Sequence, residues 1–179
     1  MFSLQNSSFP FPFLKEYVFD STKDRSDEKD KTKYAEIKEQ VKSLLTKYPD
    51  HKVYTTGHSL GGGLANITGF YFATEDDLPK PITVLTFAAP RVAGSSFRDA
   101  FQLLEKKKLL RSLRTVNEND SVPTIPPGPY YHVGFQLTCH PSSTLFSDKK
   151  KKKDPDLFYV KPHPSWYETF FYKWTNGIL

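Results

Sequence analysis

The 179-residue sequence has a single cysteine, no long hydrophobic run and no strong excess of one charge. Because Cys139 stands alone, the chain cannot form an internal disulfide, which agrees with a reducing compartment. No stretch reaches the roughly 18 apolar residues of a membrane-spanning helix, so we expect no integral membrane segment. The net charge of +5 is too small to indicate a nucleic-acid-binding protein. The aromatic content of 15% is typical of a globular domain.

The beginning of the chain is apolar but does not resemble a signal peptide, because it lacks a basic segment and contains two prolines. This favours a cytoplasmic protein, although a shortened start could have lost such a peptide, and the compartment stays open. Residues 1–32 end in a charged run without apolar periodicity, and we expect them to be irregular. Residues 33–179 are expected to form one domain.

The apolar pattern of this domain alternates between strands and helices. Helices are predicted at 33–48, 60–74 and 96–107, with a further one close behind His163; strands are predicted at 51–56, 82–90, 109–116 and 130–138. Strands that alternate with helices indicate a mostly parallel sheet with crossover helices. The sequence therefore predicts an α/β fold.

The stretch TTGHSLGGGL contains a serine at the junction between a predicted strand and a predicted helix. A sharp turn at this junction would expose the Ser59 hydroxyl and direct the backbone N–H of Leu60 towards a developing oxyanion. We expect glycine at positions 57 and 61 because side chains there would collide with the neighbouring strand and helix. Ser59 is therefore a candidate nucleophile.

A serine nucleophile needs a base in contact and an acid that orients the base. On this type of sheet the acid precedes the histidine, and both lie on loops after later strands. Asp120, beside an apolar Val-Pro pair, fits the acid, with Glu118 as the rival. His163, in the loop before the last predicted helix, fits the base, with His140 as the alternative.

Four successive motifs resemble the class 3 lipase family of α/β-hydrolases: TGHSLGGGLA, LTFAAPRVAG, RTVNENDSVPTIPP and YYHVGFQL. The resemblance covers about residues 33–174. It implies an esterase or triacylglycerol lipase that acts on acyl esters of lipids with water as acceptor and without a cofactor or metal. Ser59 would be the nucleophile, Asp120 the acid and His163 the base, and Leu60 would supply one oxyanion N–H. Arg91 and His132 would have structural roles.

The sequence departs from the family pattern at its start. Only 58 residues precede Ser59, and none resembles the motif that supplies the second oxyanion donor in this family. We therefore expect an α/β-hydrolase fold that is incomplete on its N-terminal side. The alternative to an enzyme is a non-catalytic, lipase-like remnant or lipid-binding module without a complete oxyanion hole. A serine peptidase or an acyltransferase on the same scaffold is a third reading.

Two further features bear on packing and partners. Gln136 stands where the family motif usually has an acidic residue, and we expect this to affect packing more than chemistry. The run Lys149–Lys153 is expected to be a solvated loop, with transient contact to an anionic lipid surface as the alternative.

Overall fold

The computed structural model of the chain describes residues 32–139 and 158–160, which form three helices and a five-stranded sheet. In chain order the elements are α1 (Lys33–Lys47), β1 (Tyr54–His58), α2 (Leu60–Thr74), β2 (Ile82–Phe87), α3 (Ser95–Lys106), β3 (Leu110–Asn117), β4 (Phe135–Cys139) and β5 (Phe158–Val160). The predicted helix behind His163 and the lysine run lie outside the described residues. No helix in the described ranges is long and apolar enough to cross a membrane.

The sheet has the strand order β1-β2-β3-β4-β5. The first four strands are parallel, and β5 pairs antiparallel with β4. Within the described part of the chain, β1 has β2 as its one neighbour and so lies at an edge. The carboxyl ends of β1, β2 and β3 share one edge of the sheet, which is where ligands bind in open parallel sheets.

The core lies between the sheet and helices α2 and α3. Three aromatic residues, Phe70 of α2 with Phe97 and Phe101 of α3, are at most 2% exposed and pack together. Helix α2 comes very close to the sheet at Gly69, where an added Cβ would lie 2.3 Å from Cγ2 of Val84. A glycine is therefore required here for the helix to pack at this depth.

Helix α1 begins at Thr32, whose hydroxyl accepts a hydrogen bond from the N–H of Ala35. Its apolar face is narrower than the sequence predicted, and the helix has no fully buried residue. Tyr34, Val41 and Leu45 pack against the core, whereas Ile37, Leu44 and Tyr48 are exposed. Only one narrow face of α1 packs against the core, so part of its periodic apolar side chains stays exposed.

Three ion pairs among four side chains join α1 to the residues just after α2, and the longest is Lys38 to Asp77 at 3.9 Å. Lys38 contacts Glu75 at 2.5 Å, and Lys42 contacts Asp77 at 2.7 Å. All four side chains are partly exposed, so solvent screens these pairs and they contribute little to stability. These pairs fix the position of α1 more than they stabilise the fold.

Strand β4 is shorter than predicted, because it begins at Phe135 and not at Tyr130. Gly134 has φ 76°, a backbone conformation that ends the extended segment on its N-terminal side. A side chain at this position would also collide with the hydroxyl of Ser112, 2.3 Å from the added Cβ. Tyr131 instead forms an isolated antiparallel bridge with Ala93.

Candidate functional site

Ser59 occupies a one-residue turn between β1, which ends at His58, and α2, which begins at Leu60. Its backbone has φ 54° and ψ −126°, a conformation that non-glycine residues rarely adopt. The N–H of Ser59 donates to the carbonyl oxygen of Phe87 at 2.9 Å, which ties the turn to the end of β2. The turn is therefore sharper than the predicted strand and helix bounds, which leave residues 57–59 between them, and it holds the serine at the carboxyl edge of the sheet.

The glycines around Ser59 have different roles, and the sequence expectation was wrong for one of them. At Gly57 an added Cβ would lie 2.1 Å from the carbonyl oxygen of Gly61, so a side chain is excluded. At Gly61 an added Cβ would meet no such atom within 4 Å. The second close approach is at Gly62, where an added Cβ would lie 2.8 Å from Cβ of Ala89. Gly57 and Gly62 thus allow the strand, helix and β2 loop to meet.

The first turn of α2 leaves backbone donors beside Ser59. The N–H groups of Gly62 and Gly63 donate to the carbonyl oxygen of Ser59 at 2.9 and 3.3 Å. The N–H groups of Leu60 and Gly61 precede these and have no intrahelical acceptor, as at the start of any α-helix. Within the described residues, the Ser59 side chain makes no capping hydrogen bond, so its hydroxyl is not committed to the helix. A negative charge next to Ser59 would be stabilised here.

Asp120 lies three residues beyond the end of β3, at the same edge of the sheet as Ser59. Its backbone N–H donates to Asn117 at 3.2 Å, and its Oδ1 accepts from the N–H of Val122 at 2.9 Å. The side chain is half-buried. The rival acid Glu118 is exposed, and its backbone N–H donates to the carbonyl of Cys139. The hydrogen bond from Val122 fixes the Asp120 carboxylate to the turn that follows it.

The loop after β2 contacts both the Ser59 turn and strand β3, which leads to Asp120. Phe87 accepts from the N–H of Ser59, and the next residue, Ala88, donates its N–H to Thr115 of β3 at 2.8 Å. Ala88 has φ 50°, which is unfavourable for a residue with a Cβ. Backbone strain of this kind accumulates at functional sites. No pattern in the sequence around Ala88 predicts this backbone conformation.

Arg91 and His132 hold the segment that follows Asp120. The Arg91 guanidinium donates through Nη1 to the carbonyl oxygens of Thr124 and Pro126 at 2.8 and 3.0 Å. The imidazole of His132 donates through Nε2 to the carbonyl of Pro123 at 2.6 Å. Both contacts agree with the structural roles that the resemblance implied.

The pKa of His132 is lowered to about 4, mainly because burial disfavours the charged imidazolium. The positive charges of Arg114 and Arg91 lower it further, and the hydrogen bond to Pro123 opposes them. His132 is therefore neutral near pH 7. Its ring is committed to a backbone carbonyl, which makes it unsuitable as the base.

Gln136 accepts a hydrogen bond from Arg114, whose Nη2 lies 2.6 Å from Oε1 of Gln136. The Arg114 side chain is buried, and its Nε has no hydrogen-bond partner in the described part of the chain. Burial and the nearby charge of Arg91 lower the pKa of Arg114 to about 10. The substitution noted in the sequence thus gives a buried cation a neutral partner.

Three exposed apolar side chains lie on the segments around the candidate site: Leu60 directly after Ser59, Phe87 at the end of β2, and Ile125 on the segment after Asp120. Leu60 is 40% exposed, Phe87 is 48% exposed and Ile125 is 48% exposed. Apolar surface beside a nucleophile suits a substrate with a hydrocarbon chain. The structure therefore places Ser59 and Asp120 at one edge of the sheet with apolar surface nearby. His163 and the alternative His140 lie outside the described residues, so their predicted roles remain predictions.

The family model described as "Lipase (class 3)" matches residues 8–129, more than half of the chain. The chain belongs to the class 3 lipase family. The chain is 36% identical over 107 residues to phospholipase A1-II 4 of Oryza sativa subsp. japonica. It is 38% identical over 112 residues to phospholipase A1-IIgamma of Arabidopsis thaliana. Each match covers 57% of this chain and 26% of the relative, so the chain spans about a quarter of the length of these relatives.

The chain also resembles solved structures of fungal lipases. Against the triacylglyceride lipase of Rhizomucor miehei the TM-score is 0.57 with 26% sequence identity, over 74% of this chain and 45% of the other. A lipase of Rhizopus microsporus var. chinensis gives a TM-score of 0.55 with the same identity. The fold is thus of the α/β-hydrolase type, as the motifs predicted.

Proposed function

We propose that this protein hydrolyses carboxylic esters of lipids through an acyl-enzyme formed on Ser59. The observation that carries the proposal is the geometry of Ser59, a strained residue that alone forms the turn between a parallel strand and a helix N-terminus. A strained strand-to-helix turn of this kind presents a nucleophilic serine in α/β-hydrolases. Family membership and the names of the relatives support the same reaction.

Asp120 and His163 complete the proposed triad. His163 would take the hydroxyl proton as the Oγ of Ser59 attacks the ester carbonyl carbon. Because Oδ1 of Asp120 already accepts from Val122, its Oδ2 would accept from the imidazole and stabilise the imidazolium. The N–H of Leu60 would stabilise the oxyanion.

The intermediate would then collapse with loss of the alcohol, which leaves with the proton held by His163. Water would next attack the acyl-enzyme, giving its proton to the same imidazole. The bond between Oγ of Ser59 and the acyl carbon would break as His163 returns this proton to Oγ, which releases the free acid and restores the serine hydroxyl. No cofactor is needed for either half.

A lipid ester is the proposed substrate because relatives of this chain are phospholipases A1 and a structural neighbour is a triacylglyceride lipase. The exposed apolar side chains of Leu60, Phe87 and Ile125 support an acyl chain near the nucleophile. A diacyl phospholipid and a triacylglycerol are both esters of this class. Comparing their hydrolysis by the same preparation would distinguish a phospholipase from a triacylglycerol lipase.

The competing proposal is a non-catalytic lipid-binding module. It is favoured by a sequence observation: none of the 58 residues ahead of Ser59, which include strand β1, resembles the family motif that supplies the second oxyanion donor. In the family the second oxyanion donor is expected from a segment ahead of this strand. Loss of one such donor typically lowers the rate by about 10²–10³-fold, which would leave weak but measurable catalysis.

The experiment is labelling with a fluorescent fluorophosphonate, which reacts with activated serine hydroxyls. We would compare the parent chain with Ser59→Ala and, as a matched control, with Ser96→Ala, which removes an exposed serine from α3. Asp120→Asn would be compared with Glu118→Gln, and His163→Asn with His140→Asn. Circular dichroism would establish that each variant is folded.

The proposal predicts labelling of the parent and of the Ser96, Glu118 and His140 variants, and strongly reduced labelling of the Ser59, Asp120 and His163 variants. A folded parent that is not labelled would contradict the enzyme and favour the lipid-binding module, which vesicle co-sedimentation would then detect. Labelling that persists in Ser59→Ala would contradict the assignment of the nucleophile.

A further inference from the structure

We infer that Arg91 is a positioning residue, which fixes the Asp120 turn relative to the Ser59 turn. This inference rests on the proposed function, because it gives Asp120 a role in the reaction. It starts from the segment directly behind Asp120, which forms a single turn of 3-10 helix over Val122–Thr124. The Asp120 carboxylate is bonded to the first residue of that turn, so the position of the turn sets the position of the carboxylate.

Four consecutive carbonyl oxygens in this segment accept hydrogen bonds from two residues. The guanidinium of Arg91 donates to the carbonyl oxygens of Thr124 and Pro126, and the backbone N–H of Arg91 donates to that of Ile125 at 2.9 Å. The carbonyl oxygen of Pro123 accepts a hydrogen bond from the imidazole of His132. Arg91 therefore supplies three of the four contacts.

The segment after Asp120 has few backbone N–H donors with which to stabilise its own position. Pro123, Pro126 and Pro127 have no N–H to donate, which removes donors that a loop normally uses. The backbone donors that remain, Thr124 and Ile125, reach back to Ser121 and Val122 within the same turn. Contacts from outside the segment must therefore hold it against the rest of the protein.

Arg91 is also attached to the Ser59 side of the site through its own chain. It follows Ala89, which packs against Gly62 in the first turn of α2. Two residues earlier, Phe87 accepts the N–H of Ser59. The five consecutive residues 87–91 thus contact the Ser59 turn at one end and the Asp120 turn at the other.

An arginine suits this position better than a lysine. The two N–H bonds of Nη1 lie in the plane of the guanidinium, and Arg91 uses this one nitrogen to reach two carbonyls that are two residues apart. A lysine would keep the charge but would hold the two carbonyls less rigidly. The labelling rate is therefore expected to be highest with arginine at this position, lower with lysine, and lowest with a neutral side chain of similar length.

The experiment compares Arg91→Met and Arg91→Lys with the parent in two measurements. Hydrogen–deuterium exchange reports whether the amides of residues 120–125 lose protection while those of α2 keep it. The rate of fluorophosphonate labelling against pH reports the reaction. Arg98→Met is the matched control, because the guanidinium of Arg98 is bonded to the exposed Asp99 and packs over Tyr131.

We expect faster exchange at residues 120–125 in Arg91→Met and a labelling rate lowered by between roughly tenfold and a hundredfold, since small misplacements of a catalytic group cost this much. The acid limb of the pH profile should move to lower pH, because an imidazole that loses its carboxylate partner is less basic. Arg91→Lys should recover part of the rate. The Arg98 control should resemble the parent in both measurements.

Parent-like exchange at residues 120–125 in a folded Arg91 variant would overturn the inference, whatever the activity. Faster exchange with an unchanged labelling rate and pH profile would overturn it as well, because the turn would then be loosened without affecting the reaction. If Arg91→Met does not fold, Arg91→Lys and the pair His132→Gln and His132→Phe carry the test, with Gln expected to retain protection that Phe loses. A parent that is never labelled contradicts the proposed function itself, and with it any positioning role.

Discussion

Replacing Gly57 by alanine should be strongly destabilising, although it adds only one methyl group. The added Cβ would lie 2.1 Å from the carbonyl oxygen of Gly61, 0.9 Å inside the 3.0 Å that real Cβ contacts essentially never cross. The obstacle is helix backbone, which cannot rotate away as a side chain can. The carbonyl carbon of Gly61 at 2.3 Å and the nitrogen of Gly62 at 2.7 Å block the same space.

Relief would require α2 to move away from β1 by about 1 Å along its first turn. That movement would open the packing of Gly62 on Ala89 and shift the Ser59 turn. Forced overpacking in a rigid site costs about 1–3 kcal/mol and sometimes more, and here we expect about 3 kcal/mol. For a domain of this size the midpoint of thermal unfolding should fall by roughly 6–12 °C.

Gly61→Ala is the matched control, four residues away in the same motif. Its added Cβ meets nothing within 4 Å, and alanine is favoured over glycine in a helix by about 0.5–1 kcal/mol. We expect this variant to be unchanged or slightly more stable. Thermal and urea unfolding followed by circular dichroism would measure both. If Gly57→Ala lost no more stability than Gly61→Ala, the close approach of strand and helix would be wrong.

Three further predictions follow from buried groups. Folding lowers the pKa of His132 from 6.5 to about 4, so the unfolded chain binds the proton more readily than the folded one. The free energy of unfolding should therefore fall by about 2 kcal/mol between pH 7 and pH 5. In urea unfolding, His132→Gln should remove this part of the pH dependence. Gln136→Glu should raise stability by about 1–2 kcal/mol, because it offers a carboxylate to the buried Arg114, and a lower urea midpoint would contradict this. Gly69→Ala should lower stability by about 1–3 kcal/mol, because its Cβ would press on the fully buried Val84; an unchanged unfolding midpoint would refute the close packing.

Much of the α/β pattern could be predicted from the sequence because the elements carry strong local signals. Helix α3 was predicted within one residue, since Phe97, Phe101 and Leu104 recur at helical spacing and all are buried. Helix α2 was predicted at its observed bounds despite its glycines, because a continuous apolar run follows the Gly-His-Ser turn. The parallel order of the strands followed from their alternation with helices.

The parts that failed depend on contacts between distant residues. Strand β4 is shorter than its apolar pattern because Gly134 must pass close to Ser112, which belongs to another strand. Gly61 was expected to avoid a collision, but it is the backbone of Gly61 that Gly57 must avoid. The extent of the Arg91 contacts could not be predicted either, because their acceptors are backbone carbonyls more than 30 residues away and carry no sequence signal.

The positions of the candidate nucleophile and acid followed from motif spacing, and the structure places both at the carboxyl edge of the sheet. Their roles, and the role of His163, are chemical and remain predictions. Spacing along the chain orders such residues, but it does not show that a hydroxyl, an imidazole and a carboxylate are in contact.

The most direct test of the account is to trap the acyl-enzyme and find the residue that carries it. The chain would be mixed with a p-nitrophenyl ester, quenched in acid within the first turnover, digested with trypsin and analysed by mass spectrometry. Trypsin cuts after Lys52 and Arg91 but not before Pro81, so one peptide contains Ser59 as its only serine. The account predicts one acyl group on Ser59 in that peptide and none in the Ser59→Ala variant. Ester hydrolysis by a folded chain with no acyl group on that peptide, or with the group on another residue, would contradict it.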